Sequence, residues 1–148
     1  MKAVQIHSYG GNDVFVVHTD VPPPTPKDGQ LLIQVSAASL NLFDLVVRAG
    51  YLQKMMPLQF PVTMGGDFSG TVTALGTGAG DFHRGDEVYG QAIIFNGGSG
   101  SFAEFLAANS KNVAHKPKIT NLIEAAALPL VGTSAVQALE EHIKLQSG

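Results

Sequence analysis

Asp44 and Asp67 are two carboxylates that could serve as an acid/base pair. Each also has a plainer role, and that role is preferred. Asp44 suits the first turn of a helix, where negative charge meets the helix dipole. Asp67 lies in Met64-Gly65-Gly66-Asp67-Phe68-Ser69-Gly70, a run that orders entry into a strand. Asn41 carries an amide that both donates and accepts, and its local pattern fits a helix N-cap. Tyr51 offers an O–H to a cleft, although a loop tyrosine packed over the core is an equal reading. Ser69 and Ser134 have no His/Asp partners in a triad pattern. The chain has no cysteine, so disulfides, thiolate metal sites and cysteine nucleophiles are excluded within it. Its five histidines, His7, His18, His83, His115 and His142, show no paired motif with ligand spacing, and surface or loop positions are expected for most.

Two glycine clusters imitate nucleotide loops. Gly76-Thr77-Gly78-Ala79-Gly80 follows a strand pattern, but the third glycine of a dinucleotide fingerprint is misplaced and no apolar helix follows. An inter-strand loop is the better reading. Gly97-Gly98-Ser99-Gly100-Ser101 lacks the Lys-Ser or Lys-Thr of a P-loop and reads as a flexible turn.

The elements around these residues read mainly as β. Ala3 to Ile6 and Val14 to His18 flank the turn at Tyr9-Gly10-Gly11-Asn12-Asp13. The proline-rich stretch Val21 to Gly29 predicts an extended crossing and forbids a central strand. Strands follow at Gln30 to Ser39, Phe68 to Leu75, Glu87 to Tyr89 and Phe102 to Ala107. A short helix begins after Asn41, with Leu42, Leu45, Val46 and Ala49 on one face and Gly50 as its stop. Asn121 with Glu124 predicts a capping box for a brief helix ending before Pro129. Ser134 with Gln137 predicts a second box, opening a helix from about Ser134 to Gln146. Its apolar stripe is Val136, Leu139 and Ile143, with a Glu140–Lys144 pair and Gly148 as the C′ residue. Many short strands with glycine turns imply a sandwich or partly open barrel.

The 148 residues are 45% hydrophobic and 14% charged, with a net charge of −3. This is a core-forming composition. The absence of a basic run argues against nucleic acid or an anionic membrane as the partner. No segment reaches the roughly 20 apolar residues needed to span a bilayer, and the N-terminus lacks a signal-peptide pattern.

The motifs acquire more meaning in order. Met1-Lys2-Ala3-Val4 leads to Tyr9-Gly10-Gly11, then to Val35-Ser36-Ala37-Ala38-Ser39-Leu40-Asn41-Leu42-Phe43-Asp44 and Arg48-Ala49-Gly50. The Gly65-Gly66-Asp67 run, Gly85-Asp86-Glu87-Val88-Tyr89-Gly90 and Gly100-Ser101-Phe102-Ala103-Glu104-Phe105 follow. Glu124-Ala125-Ala126-Ala127-Leu128-Pro129-Leu130 then precedes Gly132-Thr133-Ser134-Ala135. The series resembles the medium-chain dehydrogenase/reductase superfamily, in its quinone oxidoreductase or zeta-crystallin-like branch, over essentially the whole chain.

That resemblance implies a mainly β fold with short helices, a GroES-like partly open β-barrel. Residues 1–132 would form the catalytic-domain core. Residues 133–148 would form a helix leading toward a Rossmann domain absent from this chain. The implied activity is NADPH-dependent reduction of a quinone or an α,β-unsaturated carbonyl in the cytoplasm. Asn41 would lie by the nicotinamide and substrate, Tyr51 would line the cleft, and Ser134 would sit beside the cofactor. No catalytic residue is assigned, because the cofactor carries hydride chemistry. Zinc relatives hold cysteine, histidine and a third thiolate where this chain resembles them at Asn41, Gly66 and about Leu130. The resemblance therefore implies a zinc-independent enzyme. The chain alone is expected to be inactive and could form a homo-oligomer. A non-catalytic GroES-like binding or assembly module is the alternative.

Overall fold

The computed structural model describes residues 1–146. Three strands form one antiparallel sheet in the order β2-β1-β4: β1 Ala3–Ile6, β2 Phe15–His18 and β4 Val62–Thr63. Five form a second, in the order β7-β3-β5-β6-β8: β3 Gln30–Ala38, β5 Asp67–Leu75, β6 Glu87–Gln91, β7 Phe105–Asn109 and β8 Val113–His115. The sheets meet where Ala3 bridges Ala103 and Val4 N–H donates to Phe102 O, without closing into a barrel. The expectation of a mainly β fold with short helices holds.

Alternation in β3 explains its place. Leu31 and Ile33 point inward and are fully buried, while Gln34 and Ser36 face out. They join Phe68, Val72, Val88 and Leu106 in the main core. Burying each such side chain stabilises the fold by about 1.5–3 kcal/mol. Gly70 allows β5 to approach β3, because a Cβ there would lie 2.1 Å from the Gln34 carbonyl oxygen. The pairing of β3 with β5 also shifts register between Val35 and Ala37. A smaller core of Ile6, Val47 and Met64 lies under the first helix.

Several boundaries differ from expectation. The last long strand is Phe105–Asn109, because Phe102 N–H is taken by Met64 O, joining the segment to the other sheet. The Gly97–Ser101 segment is not a loose turn. Gly98 N–H bonds Ile93 O, Gly100 N–H bonds Ala92 O, and Ser101 is fully buried. The Gly76–Gly80 cluster is the inter-strand loop expected between β5 and β6, with Gly78 and Gly80 at positive φ.

The helices show where periodicity misleads. Helix α1 spans Leu42–Arg48, with Asn41 as N-cap and Gly50 at φ 80°. Its buried residues are Asp44 and Val47, whereas Leu42 is 77% exposed. Two turns leave room for only a narrow contact edge, and the polar member occupies it. Helix α2, Leu122–Ala125, has the expected box: Glu124 N–H donates to Asn121 Oδ1 and Asn121 N–H to Glu124 Oε2, both 2.9 Å.

Helix α3 instead begins at Pro129 and runs to Val136, then continues as a π-helical segment, Gln137–His142. Proline suits a first helical turn, where its missing N–H costs nothing. Ser134 is therefore inside the helix and does not cap it; its Oγ donates to Leu130 O at 2.8 Å. The boundary expected between residues 132 and 133 falls within α3. Lys144, at φ 55°, lies past the helical winding, and among the described residues no ion pair joins it to Glu140. The proposed cap Gly148 lies outside the described residues.

Candidate functional site around Asn41 and Asp67

The end of β3, the start of β5 and the start of α3 converge on one buried carboxyl. Asp67 opens β5 and is 1% exposed. Its Oδ2 accepts from Asn41 Nδ2 at 3.1 Å and from Leu130 N–H at 3.0 Å. Its Oδ1 accepts from Gln91 Nε2 at 3.2 Å. A buried carboxyl needs such donors, because leaving it unpaired carries a large desolvation penalty. Three segments far apart in sequence are fixed together by this one side chain.

Asn41 stands between two carboxyls. Its amide reaches Asp67 and lies 3.5 Å from Ser39 Oγ, while its backbone N–H donates to Asp44 Oδ2 at 2.7 Å. Position 41 therefore serves both as the helix start and as a bridge to β5. Asp44 is 4% exposed. Burial pushes its carboxyl above the usual carboxylate range; the Asn41 N–H pulls it down, and repulsion from Asp67 adds a smaller upward push. The plainer roles expected for Asp44 and Asp67 hold, and the two are also neighbours through Asn41.

Gly66 belongs to the same place. A Cβ there would meet Ile93 Cγ1 at 3.0 Å and Asp44 Oδ1 at 4.0 Å. Asn41, Gly66 and Leu130, distant in sequence, are thus gathered around Asp67. They contribute an amide, no side chain and a backbone N–H. Beside them, Asp44, Val47, Thr63 and Gly65 line a cavity of about 10 Å³, which admits one water and no organic substrate. Gln91 and Pro129 border a wider cleft of about 280 Å³ that also includes Tyr89, Lys111 and Thr133.

Ser134 connects to this network through one turn of α3: its hydroxyl bonds Leu130 O, and Leu130 N–H bonds Asp67. Tyr51 does not join it. It follows α1 in the turn and is 81% exposed, so it is not packed over the core. Sequence reasoning missed Asp67 as the hub and missed Gln91 entirely. The glycines before Asp67 were the available signal, since they allow close approach. Gln91 carried none.

A model of the alcohol dehydrogenase GroES-like domain matches residues 27–118. The chain is 37% identical to the chloroplast envelope quinone oxidoreductase homolog of Arabidopsis thaliana, over 94% of this chain and 42% of that protein. It is 38% identical to the 2-methylene-furan-3-one reductase of Solanum lycopersicum, over 95% of this chain and 37% of that protein. A mycobacterial structure solved with NADPH superposes with a TM-score of 0.85 at 30% identity, covering 100% of this chain and 42% of that one. The chain thus spans less than half the length of these relatives. With its family match covering more than half of the chain and its two antiparallel sheets in place, the chain belongs to the alcohol dehydrogenase GroES-like domain family.

Proposed function

We propose that this chain is the substrate-facing part of a zinc-independent, NADPH-dependent oxidoreductase that reduces a quinone or an α,β-unsaturated carbonyl. The observation carrying the reading is the Asn41–Asp67–Leu130 junction within a fold shared with quinone oxidoreductases. The enone reductase relative extends the acceptor class, and the NADPH-bound mycobacterial neighbour supports the cofactor.

Zinc does not fit the residues at the positions where zinc relatives hold it. Asn41 Nδ2 and the Leu130 N–H are donors, both directed to Asp67 Oδ2. A zinc shell requires lone pairs from thiolates, imidazoles or carboxylates. Gly66 offers no side chain. A reductase acting on an already polarised acceptor suits this donor set.

When bound, NADPH supplies the hydride. Residues of this chain fit only its nicotinamide end. Asn41 is proposed to orient the nicotinamide and acceptor through its amide, and Ser134 to meet the cofactor from α3. Tyr51, exposed in the turn after α1, is proposed to close over a substrate. The glycine cluster after β5 leads to β6 and provides no helix start for a pyrophosphate. Residues 1–132 are proposed as the catalytic-domain core and 133–148 as the bridge to a nucleotide-binding domain. Among the described residues no helix is long and apolar enough to cross a membrane. A cytoplasmic setting and a homo-oligomer are part of the proposal.

The test uses the protein extended to the length of its relatives. Asn41→Ala is expected to lower kcat/KM for a quinone by about 10–100-fold, as expected for losing an orienting group. Ser134→Ala is expected to raise KM for NADPH with less effect on kcat. Unchanged kinetics in Asn41→Ala would contradict the assigned role.

A further inference from the structure

The small cavity under α1 has polar groups on its wall that the rest of the chain does not pair. Asp44 and Val47 of α1, Thr63 of β4, and Gly65 and Ile93 are among its lining residues. Asp44 is 4% exposed, and its Oδ2 accepts from Asn41 N–H at 2.7 Å. Oδ1 is the oxygen on the cavity side. A Cβ on Gly66 would lie 4.0 Å from it and 3.0 Å from Ile93 Cγ1. Among the described residues no donor is bonded to Oδ1, and no acceptor takes the Gly65 N–H. Thr63 Oγ1 accepts from Gln5 Nε2 at 3.2 Å, which leaves its own O–H proton to donate. Gly65 has φ 95°, and a Cβ there would lie 2.4 Å from Ser101 Oγ. This part of the wall is therefore bare backbone.

We propose that the cavity is a binding site for one ordered water, held by Asp44 Oδ1, Thr63 Oγ1 and Gly65 N–H, which ties α1 to the strands beneath it. Size selects the ligand. A volume of about 10 Å³ is close to the smallest that holds a water, and it excludes organic groups and hydrated ions. Polarity decides that the site is wet, since cavities that stay dry are apolar. The water donates to Asp44 Oδ1 and accepts from the Gly65 N–H and the Thr63 O–H. Three bonds is the usual number for a buried water. They offset the desolvation of a buried carboxyl oxygen and a buried N–H. The effect reaches the helix cap. Asp44 holds the Asn41 N–H through its other oxygen, so the water and Asn41 fix the carboxyl from both sides. The inference does not rest on the reductase reading.

The test is water–amide NMR on the 148-residue chain labelled with nitrogen-15. The Gly65 N–H should show a cross-peak at the water frequency, with the sign of a water that tumbles with the protein. This readout needs no variant. Val47 is 4% exposed, and Val47→Ile adds one methylene to the wall while removing no polar group. It should displace the water and abolish the peak. The Thr63 hydroxyl, which could relay a false signal by exchange, remains in that variant, so loss of the peak identifies the water. The Asp44 carboxyl carbon should also titrate at higher pH in Val47→Ile, because Oδ1 has lost its donor. Gln5→Ala, which removes only the other partner of Thr63, should keep the peak. A parent chain without the Gly65 cross-peak, or a Val47→Ile variant that retains it, would overturn the proposal.

Discussion

Asp67 is the residue on which the site depends most. Its two oxygens accept from Asn41, Gln91 and Leu130, so removing them leaves three donors without their partner. Asp67→Ala is expected to destabilise the fold by about 3 kcal/mol or more, since a hydrogen bond to a charged group contributes about 1.5–3 kcal/mol. Urea unfolding measures this, and a loss below about 1 kcal/mol would contradict the hub role. Asp44 behaves differently. Its native carboxyl binds a proton more tightly than in the unfolded chain, where the ordinary value is 3.8. Between that value and the raised native one, the native state holds more protons, and stability falls as pH rises. Below the window the contribution is fully present; above it, it is lost. Asp44→Asn cannot ionise and still offers an oxygen to Asn41 N–H. The variant should gain stability relative to the parent as pH rises through the window, seen in urea midpoints from about pH 3 to about pH 7. A constant difference across that range would reject the burial effect.

At the scale of elements, Asn121 and Ser134 separate a true helix cap from an apparent one. Asn121→Ala removes the acceptor for Glu124 N–H and should cost about 1 kcal/mol. Ser134→Ala, inside α3, should change stability by less than about 0.5 kcal/mol. Chemical denaturation of both variants checks the pair; equal losses would restore Ser134 as a cap. Gly70→Ala would press a methyl group onto the Gln34 carbonyl and should cost about 1–3 kcal/mol by overpacking. Legibility divides along the same line. β1, β3, α1 and α2 could be read from local alternation, capping residues and glycine stops. Short β4 and β8 escaped notice because a few residues carry no period, and pairing with β1 and β6 defines them. Position 41 was legible as a cap, whereas its bond to Asp67 emerges only in the fold. The Gln91–Asp67 bond and the His7–His18 hydrogen bond were not legible, because each joins separate strands through side chains whose meeting depends on the folded register.

At the scale of the molecule, α3 and the π-helical segment present Val131, Val136, Leu139 and Ile143 to solvent, each at least 45% exposed. Several exposed apolar side chains along one helical segment favour contact with another surface. Sedimentation velocity should therefore show association rising with concentration, and Ile143→Lys should shift it toward monomer; monomer alone across a wide range would contradict this. The same surface lies next to the proposed junction with a nucleotide-binding domain, and the 148 residues span 42% of the Arabidopsis relative. Among the described residues no glycine-rich turn opens a helix toward a pyrophosphate, and the contacts proposed for Asn41 and Ser134 reach only the nicotinamide end, too little for normal affinity or orientation. The most direct test is NADPH titration and quinone reduction by the 148-residue chain beside a protein extended to the length of its relatives. The predicted result is no saturable binding or turnover by the shorter chain, with both present in the longer protein. Tight binding and full turnover by the 148 residues, or an inactive longer protein, would contradict it.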